Sequence, residues 1–260
     1  MIVRLAVLGS PVGHSRSPAI HSAAMAAKGI EGVYTSQDVD RDGMATMADA
    51  VRSGYFLGAS ITMPHKAVAA QLADDVTETV TRLGIANTWW AEGGRLWADT
   101  TDGAGVRFAW ERGGMPPGGA VRILGAGGAA AAAALELART HDVRVSARRR
   151  EAAEVVAARI GCGVAEWGSP CDGEAVVNAT PIGMRGEMLP EWALTGTGLL
   201  DMVYAGGDSP ATSVIAARRL PVATGLDMLV GQAVPAFERW FGVAAPVEVM
   251  LAAAKDSSAH

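Results

Sequence analysis

The segment that most restricts how this chain can fold is Gly125-Ala126-Gly127-Gly128-Ala129-Ala130, which fits the pattern G-x-G-x-x-A. Upstream of it, Ala120-Val121-Arg122-Ile123-Leu124 reads as a buried strand, and the alanine-rich stretch downstream reads as a helix. A strand that turns on glycine straight into a helix opens a βαβ unit. Gly125 permits the tight turn, Gly127 lets a diphosphate approach the backbone, and small Ala130 allows close helix–strand packing. The helix then aims its N–H groups and the positive end of its dipole at the phosphates. A lone glycine pattern is weak, but one with a strand before it and a helix after it is strong. Gly125, Ala126, Gly127, Gly128 and Ala129 are therefore the expected nucleotide-binding turn.

The next strand, Val143-Arg144-Val145-Ser146, should end where an acidic residue would grip the ribose hydroxyls of NAD. It ends instead in Ala147-Arg148-Arg149-Arg150, with no carboxylate before Glu151. Guanidinium groups suit a 2′-phosphate through charge and paired donors, so Arg148 and Arg149 point to NADP. The alternative is an ordinary solvated basic turn. The upstream glycine turn at the right distance favours the cofactor.

Short apolar runs alternate with helical patterns along the whole chain, which predicts an α/β protein with mostly parallel strands. Leu5 to Leu8, Tyr34 to Val39 and Phe56 to Thr62 read as strands, and Met44 to Val51 as a helix. Ser17-Pro18 reads as an N-cap with proline at the first helical position, Gly29 closes that helix, and Lys66 opens another. Asn87 to Asp99 resembles a hairpin turning at Gly93-Gly94. A boundary is expected between Asp102 and Gly119, where Gly113-Gly114-Met115-Pro116-Pro117-Gly118-Gly119 forms a loop. Leu226 to Ala254 reads as helical.

With 260 residues the chain has room for two compact units, and a net charge of -5 gives no drive toward nucleic acid or anionic membrane. No nucleic-acid or membrane partner is expected. Glu136 and Arg139 interrupt the alanine run well short of the ~20 apolar residues that span a bilayer. The N-terminal apolar run reads as a first strand rather than a signal peptide. Cys162 and Cys171 are too few for a disulfide framework; a bridge between them is open, but free thiols in a reducing cytoplasm are favoured, and with no metal-ligand neighbours no metal site is assigned.

The first half carries polar clusters that core packing does not demand. Ser10-Pro11-Val12-Gly13-His14-Ser15-Arg16-Ser17-Pro18 follows a strand, and Ser60-Ile61-Thr62-Met63-Pro64-His65-Lys66 leaves another. Leu83-Gly84-Ile85-Ala86-Asn87-Thr88 and Thr100-Thr101-Asp102-Gly103 flank the hairpin. Such a set suits a small polyhydroxylated substrate.

These segments resemble the motifs of the shikimate dehydrogenase family: S-P-x-x-H-S-x-S-P, N-V-T-x-P-x-K, L-G-A-x-N-T and N-T-D-G, in that order. Asn178-Ala179-Thr180-Pro181-Ile182-Gly183-Met184 and Gly225-Leu226-Asp227-Met228-Leu229-Val230-Gly231-Gln232-Ala233 resemble two further elements. The resemblance spans nearly the whole chain. It implies an N-terminal α/β substrate domain over residues 1–102, joined by C-terminal helices at about 236–260. A Rossmann-type NADP-binding domain over 103–235 would face it across a cleft. It implies NADPH-dependent, reversible reduction of 3-dehydroshikimate to shikimate by a monomer or a homodimer. Lys66 and Asp102 would be the catalytic pair. Ser15, Ser17, Thr62, Asn87, Asp102, Tyr204 and Gln232 would hold the substrate. Thr180, Met184, Gly225 and Met228 would join the glycine turn and the arginines on the cofactor.

The chain departs from the family pattern at Ser60 and Thr100, each standing where asparagine is frequent, at Ala98 and at Ala147-Arg148-Arg149. The first two leave open a quinate/shikimate or aminoshikimate dehydrogenase, or a catalytically weak nucleotide-binding homologue. Read alone, Lys66 is a solvated helix-start lysine and Asp102 an N-cap for a helix beginning near Gly103. His14 reads as a structural loop residue, His65 as exposed, and the seven tryptophans as packing.

Overall fold

The computed structural model describes residues 2–204 and 209–256. The chain divides into two units, Met1–Thr101 with Gln232–His260, and Asp102–Gly231. In chain order the first contains β1 (Val3–Gly9), α1 (Ser17–Ala27), β2 (Gly32–Asp38), α2 (Gly43–Arg52), β3 (Gly58–Ile61), α3 (Lys66–Leu72), β4 (Asp75–Val76), α4 (Glu78–Leu83), β5 (Thr88–Glu92) and β6 (Arg95–Asp99). The second contains α5 (Asp102–Arg112), β7 (Ala120–Leu124), α6 (Gly128–Leu137), β8 (Asp142–Ser146), α7 (Arg150–Ile160), β9 (Gly163–Val164), β10 (Glu174–Asn178), β11 (Gly198–Asp201), α8 (Pro210–Ala217) and β12 (Val222–Thr224). Helix α9 (Gly225–Phe241) begins in the second unit and ends in the first, where α10 (Val247–Lys255) follows.

The first unit is built on a mixed sheet of order β2-β1-β3-β5-β6-β4. β1 lies parallel to β2 and β3, while β5 runs antiparallel to both of its neighbours, β3 and β6. Leu5 to Leu8 are buried without alternation, as expected of a strand covered on both faces. The hairpin turns on Gly93 and Gly94, whose φ of 60° and 76° are the left-handed pair a two-residue turn requires. Ala6, Leu8, Met44, Ala59, Trp89 and Leu96 form the core on one face. On the other face, a Cβ at Gly58 would stand 2.6 Å from the Trp89 carbonyl, and Trp240 Nε1 of α9 donates to that same carbonyl at 3.0 Å. The missing side chain lets α9 close onto the sheet. His21 stacks on Tyr34 there, with ring centroids 4.6 Å apart.

The second unit is a sheet of order β12-β11-β10-β7-β8-β9 in which every pairing is parallel. The chain runs outward from β7 to β9 on one side and from β10 to β12 on the other, so the switch point lies between β7 and β10. Arg122 sits inside the central strand because its guanidinium meets Glu174 at 2.5 Å and Ser169 at 2.9 Å. A buried charge persists only with partners of this kind. Among the described residues, no helix is long and apolar enough to cross a membrane.

Local structure departs from the expected pattern at several positions. Ser17 is not the cap of α1; the cap position is Arg16, Ser17 is the first helical residue, and Ser15 Oγ accepts from the Ser17 N–H at 3.3 Å. Asp102 does not precede its helix but is its first residue. The C-terminal helical segment is interrupted where Gly242 takes φ of 66° and Pro246 precedes α10, which separates α9 from α10. His65 is buried rather than exposed, and its Nε2–H donates to the Val39 carbonyl at 2.7 Å. A ring at this position can reach a carbonyl of the loop after β2, and nothing local to residues 60–66 reports that loop.

Candidate active site

The glycine turn is built as its sequence demands. Gly125 has φ of 116°, and a Cβ there would lie 2.8 Å from the Ala179 carbonyl, so only glycine fits between the ends of β7 and β10. Gly127 is the cap of α6, no side chain caps the helix, and a Cβ at Gly127 would meet nothing within 4 Å. Uncapped first-turn N–H groups beside open space suit an anionic diphosphate. Ala130 is buried against the sheet. The Gly125 N–H donates to the Ser146 carbonyl at 2.8 Å, which binds the turn to the end of β8. Arg148 and Arg149 follow that strand end and are exposed, whereas Arg150 is engaged with Glu154 at 2.9 Å. The residues present fit a dinucleotide carrying a 2′-phosphate.

The other residues expected on the cofactor lie in the same unit. Thr180 follows β10 and is half-buried, Met184 is exposed, and Met228 is buried on α9. A Cβ at Gly225 would lie 2.6 Å from the Met202 carbonyl, so α9 can start this close to the end of β11 only with glycine. Tyr204 is half-buried just beyond β11.

In the first unit a buried amide organises the polar groups. Asn87, between α4 and β5, donates from Nδ2 to Thr101 Oγ1 at 3.0 Å and to Gln232 Oε1 at 3.1 Å. Its Oδ1 accepts from the Thr101 N–H and from Thr88 Oγ1, both at 2.9 Å. Gln232 is thus drawn from the far end of the sequence into a cluster with Asn87, and α9 is what carries it there. Lys66 opens α3, and its carbonyl accepts from the Ala86 N–H at 2.9 Å, one residue from Asn87. Ser15 and Thr62 are half-buried and Ser17 is buried, at the ends of the loops after β1 and β3. His14 is exposed. Asp102, following Thr101, is wholly buried. Thr88 and Thr101 were not singled out from sequence, because a threonine carries no signal of its own; their partner Asn87 reveals them. Ser60 accepts from the Tyr34 hydroxyl at 2.7 Å, a bond across β1 that spacing could not disclose. Cys162 and Cys171 are free thiols, and the described residues hold no cluster able to ligate a metal.

An all-parallel sheet with a glycine turn at its switch point defines a Rossmann-type dinucleotide-binding unit, here carried on one chain with a second α/β unit. Residues 7–89 match the family described as shikimate dehydrogenase substrate binding domain, and residues 225–255 that described as shikimate 5′-dehydrogenase C-terminal domain. The chain is 36% identical to the shikimate dehydrogenase (NADP(+)) of Mesorhizobium japonicum, across 95% of this chain and 93% of that protein. It is 38% identical to that of Paracoccus denitrificans, across 91% and 89%. Its structure superposes with a TM-score of 0.90 on the shikimate 5-dehydrogenase of Thermus thermophilus solved with NADP(H) and shikimate, at 34% identity and covering 97% of this chain and 98% of that one. The chain belongs to the shikimate dehydrogenase family.

Proposed function

We propose that this protein is an NADP-dependent shikimate dehydrogenase, interconverting 3-dehydroshikimate and shikimate for aromatic amino-acid biosynthesis. The observation that carries this reading is the Asn87–Gln232 bond, which joins residues 145 positions apart in the substrate unit. These amides, with the hydroxyls of Ser15, Ser17 and Thr62, form a set suited to a carboxylated polyol. Bound NADPH supplies the hydride. Lys66 then meets the charge that develops on the substrate oxygen, either as a cation or as the donor of the proton. Asp102, wholly buried, holds a substrate hydroxyl. Tyr204 contributes a hydroxyl to the substrate. Arg148 and Arg149 hold the 2′-phosphate and so select NADP over NAD. Two free thiols fit a cytoplasmic location.

Oxidation of shikimate followed by the absorbance of NADPH tests this directly. Reduction of NADP+ that depends on shikimate is expected. Ser60 and Thr100, in place of family asparagines, make quinate and aminoshikimate the informative competitors. A higher kcat/KM on either would move the assignment to that substrate, and no turnover of any of the three would leave a nucleotide-binding homologue.

A further inference from the structure

The second unit holds a buried polar network whose centre, Asn178 and Asp201, has none of the roles above attached to it. Asn178 and Asp201, both fully buried, end the neighbouring strands β10 and β11 and are paired in register. Asp201 Oδ1 accepts from Asn178 Nδ2 at 2.9 Å and from the Val203 N–H at 3.1 Å, while Oδ2 accepts from Ser209 Oγ. Asn178 Nδ2 also donates to the Ile182 carbonyl at 2.9 Å, and its Oδ1 accepts from the Thr180 N–H at 3.1 Å and from Thr180 Oγ1 at 2.6 Å. Both amide protons and both oxygen lone pairs are therefore in use, and the amide has one orientation, nitrogen toward two acceptors and oxygen toward two donors. Thr180 Oγ1 accepts in turn from the Ile182 N–H at 3.2 Å. Its single hydrogen is already committed to Asn178.

This network ties down two loops at the carboxyl edge of the sheet, where open α/β sheets bind their ligands. The loop after β10 presses on the glycine turn, with the Ala179 carbonyl in the space a Gly125 side chain would fill. The loop after β11 presses on the start of α9, with the Met202 carbonyl in the space of a Gly225 side chain. Arg148 and Arg149, beyond β8, mark the side of the switch point that takes the adenosine half of a dinucleotide. The other half then falls on the β10 and β11 side. A buried carboxylate is costly unless it is fully hydrogen-bonded, and a fully satisfied buried network fixes one geometry.

We propose that Asn178 and Asp201 are positioning residues for the nicotinamide half of NADP, acting through the backbone at residues 179–183 and 202–204. Thr180 presents its backbone and methyl to the cofactor and donates no hydroxyl hydrogen to it. This inference rests on the NADP reading proposed above.

The test uses binding to the full chain, measured by calorimetry. Asn178→Asp keeps size and shape but sets an oxygen where nitrogen donated to Asp201 and to the Ile182 carbonyl. NADP+ affinity should fall by about tenfold or more, the loss expected from two mismatched buried contacts. Adenosine 2′,5′-bisphosphate, which lacks the nicotinamide half, should bind as it does to the parent. Adding Asp201→Asn, which restores a donor facing the new carboxylate, should recover part of the NADP+ affinity. Hydrogen–deuterium exchange at the Thr180 and Ile182 amides should be faster in the single variant without cofactor. Equal loss of both ligands, or no loss of either, overturns the proposal. If Asn178→Asp does not fold, Thr180→Val removes the hydroxyl arm alone and is read by the same two ligands. A parent that neither binds NADP+ nor oxidises shikimate would sink the functional reading instead.

Discussion

Asn87→Ala removes the hub of the substrate unit, and its cost follows from the bonds it breaks. The Asn87 Nδ2 donates to Thr101 Oγ1 and Gln232 Oε1, and its Oδ1 accepts from Thr88 Oγ1 and from both the N–H and Oγ1 of Thr101, all among groups that are buried or half-buried. The Thr101 N–H, in a buried residue, loses its side-chain acceptor, and an unsatisfied buried donor costs about 1–3 kcal/mol. The hydroxyls of Thr88 and Thr101 and the half-buried Gln232 can turn to other partners or to water, so each costs about 0.5–1 kcal/mol. The sum is about 2.5–6 kcal/mol of stability. Gln232→Ala breaks just one of these bonds at a half-buried position and should cost about 1 kcal/mol. Urea unfolding of both variants, followed by far-ultraviolet circular dichroism, measures the difference. Shikimate KM should rise in both, with NADP+ affinity unchanged. Asn87→Ala within about 1 kcal/mol of the parent, or a Gln232→Ala equally destabilised, would refute the hub.

Other expectations concern charge. Lys66→Ala should lower kcat by on the order of a hundredfold while changing substrate affinity far less, because the interaction is made mainly in the transition state; near-normal turnover would remove Lys66 from catalysis. Replacing Arg148 and Arg149 together by alanine should erase most of the NADP-over-NAD preference, each charge-assisted contact being worth about 1.5–3 kcal/mol; a parent with equal affinities contradicts the assignment. Burial pushes the His21 imidazole down to about 3, so the folded state keeps it neutral while the unfolded chain takes up a proton below the ordinary 6.5. Its contribution to stability is complete above that value and is lost at up to about 1.4 kcal/mol per pH unit as pH falls toward the folded value. Thermal melting should accordingly show a shallower acid limb for His21→Phe, and parallel curves would show that the imidazole does not set it.

The sequence by itself determined what is written in short windows. The glycine turn, the apolar strands on either side of it, the paired glycines of the hairpin and the arginines after β8 each act through their own backbone or their neighbours. Steric rules and period therefore disclose them. The class of fold and the expectation of a nucleotide turn followed from these alone. Family resemblance, rather than periodicity, singled out Lys66 and Gln232, since a lysine at a helix start and a glutamine on an amphipathic helix look ordinary. Only the tertiary structure decided how distant polar groups are satisfied. Arg122 is tolerated in a central strand because Glu174 arrives from β10, His65 turns inward because Val39 offers a carbonyl, and Asn87 finds Gln232 because α9 returns to the first unit. The Asn178–Asp201 pair was hidden for the same reason. A buried hydrogen bond needs its donor and acceptor within about 3 Å, and no local pattern in the chain reports which two residues the fold will bring that close.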